Sequence, residues 1–201
     1  RGTTAQHLAI VEHIIGRAPG ASVFAGMSVL MLPGRQLFIV DTHVNQDPDA
    51  GELAEITLMA AEEVRRFGVE PKVALLSHSD FGSSDAPSAL KLRRALALVR
   101  ERAPQLQVDG EMHGDSALDE AVRRVTSPGS TLRGSANLLV LPNLDAASIA
   151  YNLLKTAAGN NVAIGPVLLG CAAAVNILTP AVTVRRIVNM ATLTVVQAAT
   201  R

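Results

Sequence analysis

Tryptophan is absent from the 201 residues, tyrosine and cysteine occur once each, and aromatic side chains make up only 2% of the chain. A single cysteine, Cys171, excludes an internal disulfide, so the fold must rest on apolar packing and a reducing cytoplasm is the expected compartment. The shortage of aromatics removes the stacking platforms that hold single-stranded nucleic acid. No basic excess exists either, because 18 Lys+Arg balance 18 Asp+Glu and the longest cationic runs are the pairs Arg65-Arg66, Arg93-Arg94, Arg123-Arg124 and Arg185-Arg186. A nucleic-acid partner is therefore not expected. Nothing at the N-terminus resembles a charged segment followed by an apolar signal core. Residues 156–184 carry no charge and are long enough to cross a bilayer. They are interrupted by Gly159, Gly165, Pro166, Gly170 and Pro180 and contain Asn160, Asn161 and Asn176, which favours buried strands over a membrane span.

What is present is a globular composition, 48% hydrophobic, enough to bury a core in one large domain or two small lobes. The opening Arg1-Gly2, without Met, suggests a piece of a longer protein. Residues 23–32 and 36–40 are apolar runs joined by Pro33-Gly34, which predicts a β-hairpin. Asp49 with Glu52 forms a capping-box pattern, after which Leu53, Ile56, Ala60, Val64 and Phe67 recur at helical spacing until Gly68. The strand KVALL at 72–76 and a helix from Pro87 to before Pro104 follow, with the polar loop SHSDFGSSD between them. The alternation repeats: a strand at 107–109, a helix around 116–125, the strand NLLVL at 137–141, a helix at 144–158 and a strand at 162–164. Such alternation predicts a layered α/β/α fold with a mostly parallel sheet covered on both faces. Residues 176–190, NILTPAVTVRRIVNM, read as a short strand, a proline turn and a helix start, with Thr183 as N-cap of a final helix at 183–199. That helix is apolar nearly all round, through Val184, Ile187, Val188, Met190, Ala191, Leu193, Val195 and Val196, and so requires cover from another lobe or subunit.

Several polar clusters invite chemistry. Asp41, His43 and Asp47 in DTHVNQD have ligand-type side chains, yet their spacing matches no metal signature and fits a strand exit followed by a helix cap. Asp109, Glu111, His113 and Asp115 in DGEMHGD are read likewise as solvated loop residues ahead of a helix. Ser77, His78 and Asp80 lie too close in sequence for a relay, and no Gly-x-Ser-x-Gly elbow is present. Their loop suits anion contact instead, since Ser hydroxyls and backbone N–H groups gather at a strand end. GPVLLG at 165–170 has the outer glycines of a phosphate loop but Cys171-Ala172 where Lys and Ser/Thr are needed, leaving a close backbone approach to a ligand or a simple tight turn.

The stretches DTHVNQDPDAGELAEI, KVALLSHSDFGSS, QVDGEMHGD, LLVLPNLDAASIAYNLLK, IGPVLLG and NILTPAVTVRRIVNM run in one order over nearly the whole chain. In that order they resemble the phosphate acetyltransferase (phosphotransacetylase) family, most specifically the phosphotransacetylase-like C-terminal domain of bacterial hybrid NADP-dependent malic enzymes. The resemblance implies an architecture like that of isocitrate and isopropylmalate dehydrogenases, in two lobes whose cleft receives coenzyme A. Residues 1–182 would be the second lobe, and 183–201 a helix packing towards a first lobe outside this chain.

Active members carry a Ser-Arg pair in the segment matching 178–181 and an Asp about one helical turn later. An Arg there neutralises phosphate, and the Asp assists deprotonation of the coenzyme A thiol. This chain has Thr179-Pro180 and Arg186 instead. Proline has neither charge nor N–H, and Arg186 cannot accept a proton. The resemblance thus implies a non-catalytic regulatory and oligomerisation domain that binds acetyl-CoA as effector. NADP, a divalent metal and the decarboxylation of malate to pyruvate and CO2 would belong to a catalytic region elsewhere in the same chain, and the assembly would be a homodimer or larger. The ligand wall by resemblance is Asn143, Tyr151, Asn160, Gly165, Pro166, Leu169, Gly170, Thr179 and Arg186, with Ser77 and Ser79 in addition; no catalytic or metal-ligating residue is expected. Two rivals stay open: an active phosphate acyltransferase whose cation and base come from the other lobe, and a purely structural dimerisation module.

Overall fold

The computed structural model describes residues 3–158, 162–178 and 182–199. In chain order the elements are α1 (Thr4–Ile14), β1 (Ala25–Leu32), β2 (Arg35–Val40), α2 (Ala50–Arg66), β3 (Lys72–Leu76), α3 (Pro87–Arg102) and β4 (Gln107–Met112). There follow α4 (Gly114–Leu118), α5 (Glu120–Thr126), β5 (Leu138–Val140), α6 (Leu144–Ala157), β6 (Val162–Leu169) and α7 (Val184–Ala199).

One six-stranded sheet has the order β4-β3-β5-β2-β1-β6. β4, β3, β5 and β2 are mutually parallel, because helical crossovers connect them. β1 alone is reversed, antiparallel to both β2 and β6. Its reversal follows from the Pro33-Gly34 turn, where Gly34 takes the positive φ of 75° that a two-residue hairpin needs.

Strand side chains alternate between two cores. Phe38 and Val40 pack with Leu53, Ile56, Leu92 and Val99 beneath α2 and α3. Leu37 and Ile39 join Leu139, Ala117 and Tyr151 beneath α4 and α6. The result is the expected α/β/α layering. The expected cap of α2 forms as well: Glu52 N–H donates to Asp49 Oδ1 at 2.9 Å, and Asp49 N–H donates to Glu52 Oε2 at 2.8 Å. Gly68, at φ 75°, ends that helical segment.

The structure differs from the sequence expectation at five places. α1 was not foreseen, although Thr3 and Gln6 cap it reciprocally. The helix expected at 116–125 is two, because the Asp119 side chain accepts the N–H groups of Ala121 and Val122 and starts α5 afresh. GPVLLG is no free loop but for the most part the second half of β6, which runs to Leu169. Residues 176–178 form no strand. Asp109 and Glu111 are not solvated loop residues; both are buried on β4. Asp109 accepts from Arg100, Ser130 and Thr131, and Glu111 from Ser79, Gly82 and Arg93, so each buried carboxylate has donors.

α7 leans on the edge strand β6. Its Thr183 cap is present, with Arg186 N–H donating to Thr183 Oγ1 at 3.3 Å. Only Met190 and Gln197 of the helix are buried, and Val184, Ile187, Val188, Val195 and Val196 stay exposed. Among the described residues no helix is long and apolar enough to cross a membrane.

Candidate functional site

The loop after β2 folds back over the start of β1, and Asp41 holds it there. Asp41 Oδ1 accepts the backbone N–H groups of Gly26, His43 and Val44 at 2.9, 2.9 and 3.1 Å. Its Oδ2 accepts the Asn45 backbone N–H at 2.8 Å and side-chain amide at 2.6 Å. Five donors saturate this carboxylate, which therefore organises backbone. Asp47 pairs with Lys91 at 2.6 Å. Among the described residues no group of three or more His, Cys, Asp or Glu side chains gathers to hold a metal ion.

The same loop fixes His43. A Cβ on Gly26 would stand 3.0 Å from the His43 Cβ and 3.3 Å from Asp41 Oδ1, so glycine is what allows the close approach. The Thr42 hydroxyl donates to the Gly26 carbonyl at 3.1 Å and faces His43 Nδ1 at 2.7 Å. The Thr42 hydroxyl thus engages Nδ1 and leaves Nε2 as the ring nitrogen without a partner among the described residues. Thr42 also lies 2.9 Å from the Ser28 hydroxyl, which in turn faces the Tyr151 hydroxyl. The His43 and Tyr151 rings meet edge to face at 6.5 Å, and the Lys155 ammonium sits 5.1 Å from the Tyr151 ring centre.

Arg186 closes this group from α7. Its Nε donates to the Gly165 carbonyl at 2.9 Å, and a second guanidinium N–H reaches the same oxygen. Burial pushes the His43 pKa below its ordinary value; Asp41 opposes the shift, and the charges of Arg186 and Lys155 reinforce it. Tyr151 is shifted upward by burial, against the pull of Arg186 and of Ser28. The outcome is a wall of two cations and a neutral imidazole. It suits an anionic ligand and contains no carboxylate free to take a proton.

The structure thus brings together Tyr151, Gly165, Pro166 and Arg186 of the expected ligand wall and adds His43 and Lys155. Asn143 stands behind them, where its Oδ1 accepts the Ala146 N–H at 2.9 Å and caps the helix that carries Tyr151 and Lys155. Leu169 is buried in the core beneath α2, and Gly170 turns against the Val23 carbonyl, bordering a separate groove of about 500 Å³ beside Glu55 and Met59. Ser79 is buried and donates to Glu111 Oε1 at 2.7 Å, while Ser77 Oγ accepts the Ser79 N–H at 3.1 Å. His78 faces Ser84 and Asp80 pairs with His113, so that loop holds no Ser-His-Asp relay. Asn160, Thr179 and Pro180 lie outside the described residues. The sequence signal for His43 was its place just past the end of a strand, but its partners Gly26 and Tyr151 are remote in sequence.

A profile of the phosphate acetyl/butaryl transferase family matches residues 1–195. The NADP-dependent malic enzyme of Escherichia coli (strain K12) is 58% identical over 98% of this chain, which spans 26% of that protein. The phosphate acetyltransferase of Paracoccus denitrificans is 43% identical over 97% of the chain, covering 63% of its own length. Among solved structures, a phosphotransacetylase from Streptococcus pyogenes superposes with a TM-score of 0.94 at 33% identity, covering 100% of this chain and 61% of its own. The chain therefore spans about a quarter of the malic enzyme it resembles.

Proposed function

The chain belongs to the phosphate acetyl/butaryl transferase family, and from that membership we propose that it serves as the acetyl-CoA-binding regulatory and subunit-assembling domain of an NADP-dependent malic enzyme, without acyl-transfer activity of its own. The higher identity to a malic enzyme than to a phosphate acetyltransferase supports this reading. Malate oxidation with NADP and a divalent metal would then proceed in another region of the same polypeptide.

Arg186 is the observation that carries the proposal. Transfer of an acetyl group from acetyl phosphate to a thiol needs a cation for the phosphate and a base for the thiol proton. Where the resemblance expects the base, this chain has a guanidinium anchored on Gly165. Arg186 is a permanent cation, able to attract a coenzyme A phosphate and unable to take a proton. Pro180, in the sequence position of the phosphate-binding Arg, supplies neither charge nor N–H.

For the effector to alter malate oxidation it must prefer one arrangement of the assembly, because equal affinity for both shifts nothing. The test uses the full-length protein. Acetyl-CoA is expected to bind and to change malate oxidation, while mixing acetyl phosphate with coenzyme A yields no acetyl-CoA above background. Turnover at the rate of an authentic phosphate acetyltransferase would establish the rival reading instead, with cation and base supplied by the other lobe.

A further inference from the structure

We propose that an apolar recess beside His43 seats the short acyl group of the thioester, so that this wall reads acyl chain length while the cationic wall holds coenzyme A. The inference rests on the acetyl-CoA reading above. The recess has a volume of about 50 Å³ and is lined by Leu8 of α1, Val44, Pro166 and Leu168 of β6, Ile177 and His43.

Size restricts what can enter. A water-sized group requires roughly 10–15 Å³ of such space, so the recess takes about three to five heavy atoms. An acetyl group has three and fits. A butyryl group has five and fills the space, and a hexanoyl group exceeds it.

Position points the same way. Pro166 follows Gly165, whose carbonyl anchors Arg186, so the recess adjoins the cationic wall. His43 lies within the electrostatic reach of both Arg186 and Lys155. The recess is also built: Gly26, another of its lining residues, leaves room for His43, since a Cβ there would stand 3.0 Å from the His43 Cβ, and Asp41 and Thr42 hold the histidine backbone and Nδ1. Among the described residues Nε2 of His43 meets no hydrogen-bond partner. A mostly apolar pocket whose polar side chains are His43 and Thr4 fits a ligand whose tip is a methyl group and whose next segment, the pantetheine arm, offers amide N–H and C=O groups.

The experiment measures affinities of the full-length protein for coenzyme A and for its acetyl, butyryl and hexanoyl thioesters by calorimetry, in the wild type, Leu8→Ala and Leu8→Phe. Burying the acetyl methyl should make acetyl-CoA about fourfold tighter than coenzyme A, with hexanoyl-CoA at least about tenfold weaker than acetyl-CoA. Leu8→Ala enlarges the recess and should shrink the hexanoyl penalty severalfold. Leu8→Phe fills it and should remove the advantage of acetyl-CoA over coenzyme A. If both variants keep the wild-type order and ratios, or if wild type binds all four ligands equally, the recess does not read the acyl group although coenzyme A binding stands. If wild type binds none of the four, the effector reading fails and the recess assignment with it.

Discussion

At Arg186 two N–H groups are held by one carbonyl, yet the full charge remains, so the residue both fastens α7 to β6 and makes the wall cationic. Replacing it by Ala should remove both effects. Loss of a charge-assisted contact to a coenzyme A phosphate costs about 1.5–3 kcal/mol, equivalent to roughly tenfold to a hundredfold in affinity. Arg186→Lys separates the roles, since Lys keeps the charge and loses the forked geometry; calorimetry should place its affinity between wild type and Arg186→Ala. An unchanged affinity in Arg186→Ala would remove the residue from the site. His43 yields a prediction about pH. Its folded-state pKa lies below the ordinary 6.5, so above that pH both folded and unfolded chains hold it neutral and it contributes no pH dependence. As pH falls through the ordinary value the unfolded chain gains a proton that the folded chain resists, and stability is lost until the lower folded value is reached. His43→Gln should therefore flatten the decline of the melting temperature below about pH 6.5, measured against wild type in matched buffers. The sequence pointed to Arg186 through a motif, but to His43 only as a ligand-type residue without a signature. What gives His43 its environment is the packing of Gly26 beneath it and Tyr151 beside it.

Local chemistry wrote the elements that were legible in advance. The hairpin followed from Pro33-Gly34, α2 from the Asp49–Glu52 box and Gly68, and β3 from an apolar run after a proline. Elements set by distant partners were hidden. GPVLLG looked like a loop because glycine flanks it, yet Gly165 sits at a bulge where a Cβ would come within 2.8 Å of the Met27 carbonyl, and β6 continues past it as an edge strand. The attachment of α7 is of the same kind. Gln197 is buried; its Nε2 donates to Glu63 Oε1 at 2.8 Å and its Oε1 accepts from Asn176 at 3.0 Å, while Asn176 Oδ1 accepts the Leu168 N–H at 2.9 Å. One amide thus ties α7 to α2 and, through Asn176, to β6. Gln197→Leu keeps the bulk and strips both hydrogen bonds, leaving a buried carboxylate with fewer donors. The expected cost is about 1–3 kcal/mol, read as faster hydrogen exchange through α7 while the amides of β2 and β3 keep their protection. Equal protection of α7 in variant and wild type would show that apolar contact alone holds the helix.

Over the whole molecule the apolar residues are unevenly covered. The sheet and its two cores are sealed, whereas Val184, Val188 and Val195 on α7 are 77%, 57% and 69% exposed, and Ile149 and Leu153 on α6 remain open as well. Scattered exposed apolar side chains are ordinary, but a series along one helix is a candidate contact surface and predicts self-association. Val188 and Val195 are seven residues apart, two helical turns, and therefore share one face of α7. A homodimer that buries this face would gain about 1.5–3 kcal/mol for each fully covered valine. Paired substitution Val188→Glu with Val195→Glu would replace that gain by two desolvated carboxylates facing their symmetry mates. The full-length protein should sediment as a dimer or larger at micromolar concentration, and the double variant should dissociate at least about tenfold more readily. A wild-type monomer would refute self-association. A dimer indifferent to both glutamates would move the contact away from this face of α7 and leave the first lobe as its cover. In that case acetyl-CoA, bound where Arg186 joins the helix to the sheet, would act on the packing of lobes within a subunit, and the effector response should persist in a monomeric variant. If α7 is the dimer contact, the response should vanish with dissociation, because the helix that carries Arg186 is then shared between the ligand wall and the subunit interface.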